Sequence, residues 1–223
     1  MIQIEHLTKK YRNVVAVDDL NLTVKEGEIF GFVGPNGAGK TTTIRILAGL
    51  LRPTSGKATI GGYDVTRDTM EVKRMVGYMP DIFGVYDEMR VWEYLDFFGA
   101  AYRIDRDTRR EAIDRVLDLT GSEYMRDYHM GSLSRGMAQK IGLARTLIHD
   151  PEVLILDEPA SGLDPRARME LRDTLKRLRS NGKTILISSH ILAELGTLCD
   201  TLGIIEKSRL LATGTLSEIL RQI

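Results

Sequence analysis

Short apolar runs closed by Gly, Pro or Asp recur along this chain: IFGFVG at 29–34, VLIL at 153–156, TILIS at 184–188 and LGII at 202–205. Runs of this length without alternation are what strands buried on both faces require. Their separation by helix-period segments predicts parallel strands of an α/β sheet. The first 25 residues differ, because IQIEHLTKKY and LNLTV alternate apolar with polar positions and so predict an antiparallel sheet. KATIGGYDV, with its Gly61-Gly62 pair, is compatible with the same sheet. Between 91 and 148 the strand signal almost vanishes, and VWEYLDFFGAAY, RREAIDRVLDL and AQKIGLARTL repeat at the helix period. The pattern predicts one domain over 1–223, with an α/β core at 1–81 and 149–223 and a helical subdomain inserted at 82–148.

Composition narrows this picture. A chain of 223 residues, 43% of them hydrophobic, can bury a full core. Lys plus Arg and Asp plus Glu both number 31, so no net basic field draws the chain to nucleic acid or an anionic bilayer, and no nucleic-acid partner is expected. The single cysteine, Cys199, rules out an intrachain disulfide framework and a cysteine-rich zinc site, which suits a reducing cytosol. MIQIEHLTKKY lacks the apolar core of a signal peptide, and no run of about 18 apolar residues is present to cross a bilayer. If a membrane matters, another chain is expected to supply it.

The strongest local chemistry follows the strand IFGFV. Gly34-Pro35-Asn36-Gly37-Ala38-Gly39-Lys40-Thr41 fits G-x-x-x-x-G-K-[ST] and opens the helical run TTTIRILAGL, the strand-loop-helix setting that a phosphate loop needs. Its glycines let consecutive amides turn toward a β-phosphate, Lys40 supplies a point charge to the β and γ oxygens, and the Thr41 hydroxyl is a ligand for Mg²⁺. VLILDEP places Asp157 and Glu158 at the end of a buried strand, the edge of an open α/β sheet where ligands bind. From there Asp157 can hold Mg²⁺ directly or through water, and Glu158 can polarise an attacking water. In GSLSRGMAQK, Ser134 precedes the periodic run IGLARTLI. A serine there caps a helix, and the free amides behind it also form an anion site, two roles that the residues alone do not separate.

GPNGAGKTT, LSRGM, VLILDEP, SGLD and SSH stand in the order and approximate spacing of the ATP-binding subunit of ABC transporters, which the chain resembles over nearly its whole length. The resemblance implies a P-loop NTPase (RecA-like) core with an amino-terminal antiparallel β-subdomain and an inserted α-helical subdomain. It also implies Mg²⁺-dependent hydrolysis of ATP by a head-to-tail homodimer or paired ATPase subunits. Each ATP would lie between one subunit's phosphate loop, Gly34 to Thr42, and the other's LSRGM, where Ser134 and the Gly136 amide face the γ-phosphate. By the same resemblance Tyr11 stacks on adenine, His190 contacts the γ-phosphate and attacking water, and Asp164 lies in the loop linking the two sites. Asp164 also suits a cap for a helix beginning at Pro165.

Two positions depart from the family pattern. Asp81, in VGYMPD, stands where a glutamine is usual; a carboxylate can approach Mg²⁺ or accept from water but cannot donate as an amide does. Arg135 replaces a glycine of the signature and Met137 its glutamine. The segment DIFGVYDEMRVWEYLDFF occupies the place where the family docks its transmembrane permease, and Phe83, Trp92 and Phe97 either supply a groove for that contact or serve as plain core aromatics. These likenesses imply a chain that works peripherally on the cytoplasmic face of the cell membrane and drives a separate permease. LSRGM and the short carboxyl end resemble exporter subunits of the ABC-2 kind. The competing reading is an ABC-type ATPase without a permease, acting in translation or on DNA; the single ATPase unit and the absence of a basic stripe weigh against it.

Overall fold

The computed structural model describes residues 1–84 and 86–221. The chain begins with β1 (Ile2–Tyr11), β2 (Val14–Val24) and β3 (Ile29–Val33), then α1 (Lys40–Leu47), β4 (Ser55–Ile60), β5 (Tyr63–Asp64), α2 (Thr69–Met75) and β6 (Val76–Met79). Three helices follow, α3 (Val91–Ala101), α4 (Arg106–Thr120) and α5 (Arg135–Leu147), with single 3-10 turns at Glu123–Met125 and Met130–Ser132. The remainder alternates: β7 (Val153–Leu156), α6 (Pro165–Ser180), β8 (Thr184–Ser189), α7 (Leu192–Leu195), β9 (Thr201–Glu206), β10 (Arg209–Gly214) and α8 (Leu216–Leu220).

Two sheets result. Strands β2-β1-β4-β5 pair antiparallel, as the alternation of the first 25 residues predicts, and KATIGGYDV supplies the β4–β5 hairpin. The second sheet runs β10-β9-β3-β8-β7-β6 and is parallel except for the hairpin partner β10. Its central strands β3, β8 and β7 are buried throughout because each face has its own cover. Ile29, Leu154, Leu156, Ile185 and Ile187 pack with the helices α4, α5 and α6, whereas Phe30, Phe32, Val153, Ile155 and Leu186 pack with α1 and the antiparallel sheet. The period-2 alternation of strand side chains thus divides one apolar run between two cores. Cys199 packs beside Gly31 of β3, and burial pushes its thiol pKa up, so it behaves as core and not as a nucleophile.

Register brings the functional segments together. Val33 pairs with Ser189, Leu156 with Ile187, and Met79 with Leu156, so β3, β8, β7 and β6 end at one edge. The phosphate loop, His190, Asp157-Glu158 and Asp81 are the segments that leave those ends.

The aromatic groove expected from Phe83, Trp92 and Phe97 is not assembled. Phe83 is half-buried over Gly142 of α5, with the Arg145 guanidinium 5.0 Å from its ring centre. Phe97 meets Tyr86 and Phe98 edge-on, while Trp92 lies in a hollow with Arg106, Arg110 and Arg126. Trp92 and Phe97 are five positions apart on one helix, roughly 140° around its axis, and so face different surroundings.

Candidate active site

The loop between β3 and α1 is shaped by its glycines. Gly39 has φ +108°, where an L side chain is strained, and a Cβ on it would overlap the carbonyl of Ala16 in β2. Helix α1 therefore starts on a glycine with no side-chain cap, and its first internal bond runs from the Thr43 amide to the Gly39 carbonyl at 2.9 Å. The amides of Lys40, Thr41 and Thr42 come before that bond and have no carbonyl one turn back to accept them. The Lys40 ammonium is 5% exposed; it donates to the carbonyls of Gly34 at 2.5 Å and Pro35 at 3.2 Å and lies 3.3 Å from Glu158 Oε1. Thr41 is exposed at the helix start.

Beyond β7 the chain turns sharply. Glu158 is in the left-handed region at φ +50°, a conformation that costs about 1–2 kcal/mol for a residue with a Cβ. Two bonds hold it there: its amide donates to Ser188 Oγ at 2.9 Å, and its carbonyl accepts from the Ser161 amide at 3.0 Å. Ser188 Oγ also donates to Asp157 Oδ1 at 2.7 Å, so one buried hydroxyl fixes both acidic residues. The other Glu158 oxygen, Oε2, lies 2.9 Å from His190 Nδ1. Lys40, Glu158 and His190 consequently form one connected set, with Asp157 tied to it through Ser188.

Asp81 joins the same region. Burial, then the charges of Asp157 and Glu158, push its carboxyl above the usual range, against a downward pull from Arg135 and His190. Its Oδ1 and Glu158 Oε1 are buried without a hydrogen-bond partner, although Oε1 retains the Lys40 charge. Among the described residues no group of three or more His, Cys, Asp or Glu side chains is arranged to hold a metal ion, but the donor-free Asp81 Oδ1, in the field of Asp157 and Glu158, is an acceptor of the kind a hard divalent cation takes. The sequence motif SSH contained Ser188, but only the paired strands reveal that it bridges the Asp157 carboxylate and the Glu158 amide.

Tyr11 ends β1 and does not cover the core: it is 45% exposed, with the Lys9 ammonium 5.0 Å from its ring centre. It shares the β1–β2 hairpin with Ala16, whose carbonyl abuts Gly39.

The second helix start is built differently. Ser134 Oγ accepts from the Met137 amide at 3.3 Å, and the first internal bond of α5 joins Ala138 to Ser134 at 2.8 Å. The amides of Arg135 and Gly136 precede that bond. A Cβ on Gly136 would make only ordinary contacts, 3.5 Å from Ala167 and 3.9 Å from Leu163, so nothing within this protomer requires glycine there. Asp164 caps α6, accepting from the Ala167 amide at 2.9 Å, with Pro165 in the first turn.

Comparison with known proteins agrees with this geometry. The family model described as ABC transporter matches residues 17–161. An ABC transporter ATP-binding protein of Synechocystis sp. is 39% identical over 211 residues, covering 94% of this chain and 59% of its own length. A linearmycin resistance ATP-binding protein of Bacillus subtilis is 35% identical over 219 residues, covering 98% and 70%. The chain thus spans about three fifths to seven tenths of these relatives. A solved structure described as the ATP-binding subunit of an ABC transporter superposes with a TM-score of 0.88 at 31% identity, over 100% of this chain and 92% of that one.

Proposed function

This chain belongs to the ABC transporter family, and from that premise we propose that it binds and hydrolyses ATP as a head-to-tail dimer and thereby drives a separate membrane-spanning permease. The observation that carries the reading is the connected set Lys40, Glu158 and His190 beside an amide-lined loop at the edge of a parallel sheet.

In this reading the amides from Gly34 to Thr42 and the Lys40 ammonium hold the β- and γ-phosphates, and Tyr11 lies against adenine. As phosphate oxygens take over Lys40, Glu158 Oε1 is released from that charge. Glu158 then accepts a proton from the attacking water as the bond between the γ-phosphorus and the β–γ bridging oxygen breaks. His190 orients the carboxylate and contacts the γ-phosphate, while Ser188 keeps Asp157 and Glu158 in register. Thr41, Asp157 and Asp81 would hold Mg²⁺, which when bound neutralises the charge on the phosphate oxygens.

Ser134 and Gly136 complete the site of a second protomer, because two free amides and a helix dipole favour an anion and Gly136 leaves room for its approach. Residues 1–81 and 149–223 serve as the catalytic core and 82–148 as the subdomain that carries this half-site. Among the described residues no helix is long and apolar enough to cross a membrane. In this reading, which rests on the family, the bilayer path belongs to the permease and the chain works at the cytoplasmic face. Export is the favoured direction, supported by the resistance role in the name of the Bacillus relative. The test is ATP turnover by the purified chain with Mg²⁺: wild type hydrolyses ATP and Lys40→Ala does not, whereas equal rates would refute the assignment.

A further inference from the structure

Arg135 has no part in the chemistry described so far, although it opens α5 between the two residues assigned to the second protomer's phosphate. Its guanidinium turns back toward its own protomer and donates to Ser161 Oγ at 3.4 Å. It also covers Gly162, where a Cβ would overlap the guanidinium carbon and where φ is +68°. Glycine at 162 therefore serves two needs at once: a left-handed turn and a flat seat for a planar cation. Ser161 in turn donates its amide to the carbonyl of Glu158 at 3.0 Å, and Glu158 is the residue held in a strained conformation. From Ser134 to Glu158 the path runs through one peptide bond, one side-chain hydrogen bond and one turn hydrogen bond.

We propose that Arg135 is a positioning residue that clamps the Ser161–Gly162 turn to the start of α5 within one protomer, so that an anion engaged at Ser134 and Gly136 is felt at the backbone of Glu158. The relay rests on the reading of α5 as a phosphate half-site; the clamp itself does not. The charge of Arg135 is also felt at Asp81, which places the guanidinium on the side of the carboxylate cluster. A lysine in its place keeps a charge but has no planar face to lie on Gly162.

Two measurements on the full chain test this. Hydrogen exchange without nucleotide reads the clamp: Arg135→Ala and Ser161→Ala should each speed exchange of the 160–163 amides by roughly fivefold or more, with the interior of α5 unchanged. ATP turnover reads the relay: each variant should lose roughly three- to tenfold in kcat with little change in KM, the double variant should lose no more than either single one, and Arg135→Lys should behave as Arg135→Ala. Unchanged exchange at 160–163 overturns the clamp. Losses that multiply in the double variant, full rescue by lysine, or a rise in KM from Arg135→Ala with Ser161→Ala silent overturn the relay, the last by making the arginine a direct phosphate contact. Failure of the ATPase reading has a separate signature, full turnover by Lys40→Ala, and leaves the exchange result intact.

Discussion

Helices α1 and α5 begin with the same physics and end with different competence. Each presents amides that lack a carbonyl one turn back, at the positive end of a helix dipole. At α1 the chain surrounds them with its own chemistry: a buried lysine, a glutamate whose backbone is held by two partners, and a histidine on that glutamate's far oxygen. At α5 the corresponding amides sit behind a serine cap on an exposed turn, and the nearest charge, Arg135, is turned toward Ser161. In the proposed dimer the first arrangement supplies the half-site that carries the base and the buried lysine, whereas the second supplies only the complementary half to another copy. Both helix starts could have been read as anion sites, and only their surroundings separate the catalytic half from the completing half.

The comparison can be broken most strongly at α1. Glu158→Gln keeps the shape and the His190 contact but removes the base, so turnover should fall by about 10²–10⁴ while ATP still binds. Isotope-labelled ATP binding measured beside phosphate release checks both halves of that outcome. Lys40→Ala should reduce turnover by about 10²–10³ and weaken ATP binding as well, since it removes a charge from both ground and transition states. A smaller effect belongs to α5: Ser134→Ala should cost about 1 kcal/mol of stability as a lost cap. It should also lower turnover by about tenfold through the half-site, and a rate unchanged beyond the stability loss would reduce α5 to a capped helix.

The far end of α5 supplies a control, with no expected effect on turnover. His149 stacks on Tyr102 at 3.8 Å and faces the Val76 carbonyl at 3.2 Å, and burial pushes its pKa down to about 4. Between about pH 6.5 and 4 the unfolded chain holds a proton that the native chain lacks, so stability falls as pH drops through that window. From pH 7 to 5 the loss should reach about 2 kcal/mol, and His149→Gln should remove that part of the slope in urea titrations. Turnover near neutral pH should not follow it, which separates subdomain stability from the half-site chemistry.

Much of this was legible in the chain. Doubly buried strands leave continuous apolar runs, so IFGFV, VLIL and TILIS were readable, and the phosphate loop is local enough that spacing alone identifies it. What the sequence did not reveal depends on contacts between distant segments. Ser188 bridges Asp157 and Glu158 across 31 and 30 positions, and Arg135 reaches Ser161 across 26; no periodicity encodes such pairs. The β9–β10 hairpin escaped notice because RLLATG is short and its partner defines it. The Phe83, Trp92 and Phe97 groove failed for a related reason, since residue type suggested a shared surface and helix phase dispersed it.

The central claim is that α5 is half of an ATP site. Sedimentation of Glu158→Gln with ATP and Mg²⁺, compared with the same variant also carrying Ser134→Ala, tests it most directly. The account predicts a dimer for Glu158→Gln that depends on ATP and a largely monomeric species when Ser134 is removed. A dimer equally stable in both, or none with ATP in either, would contradict it.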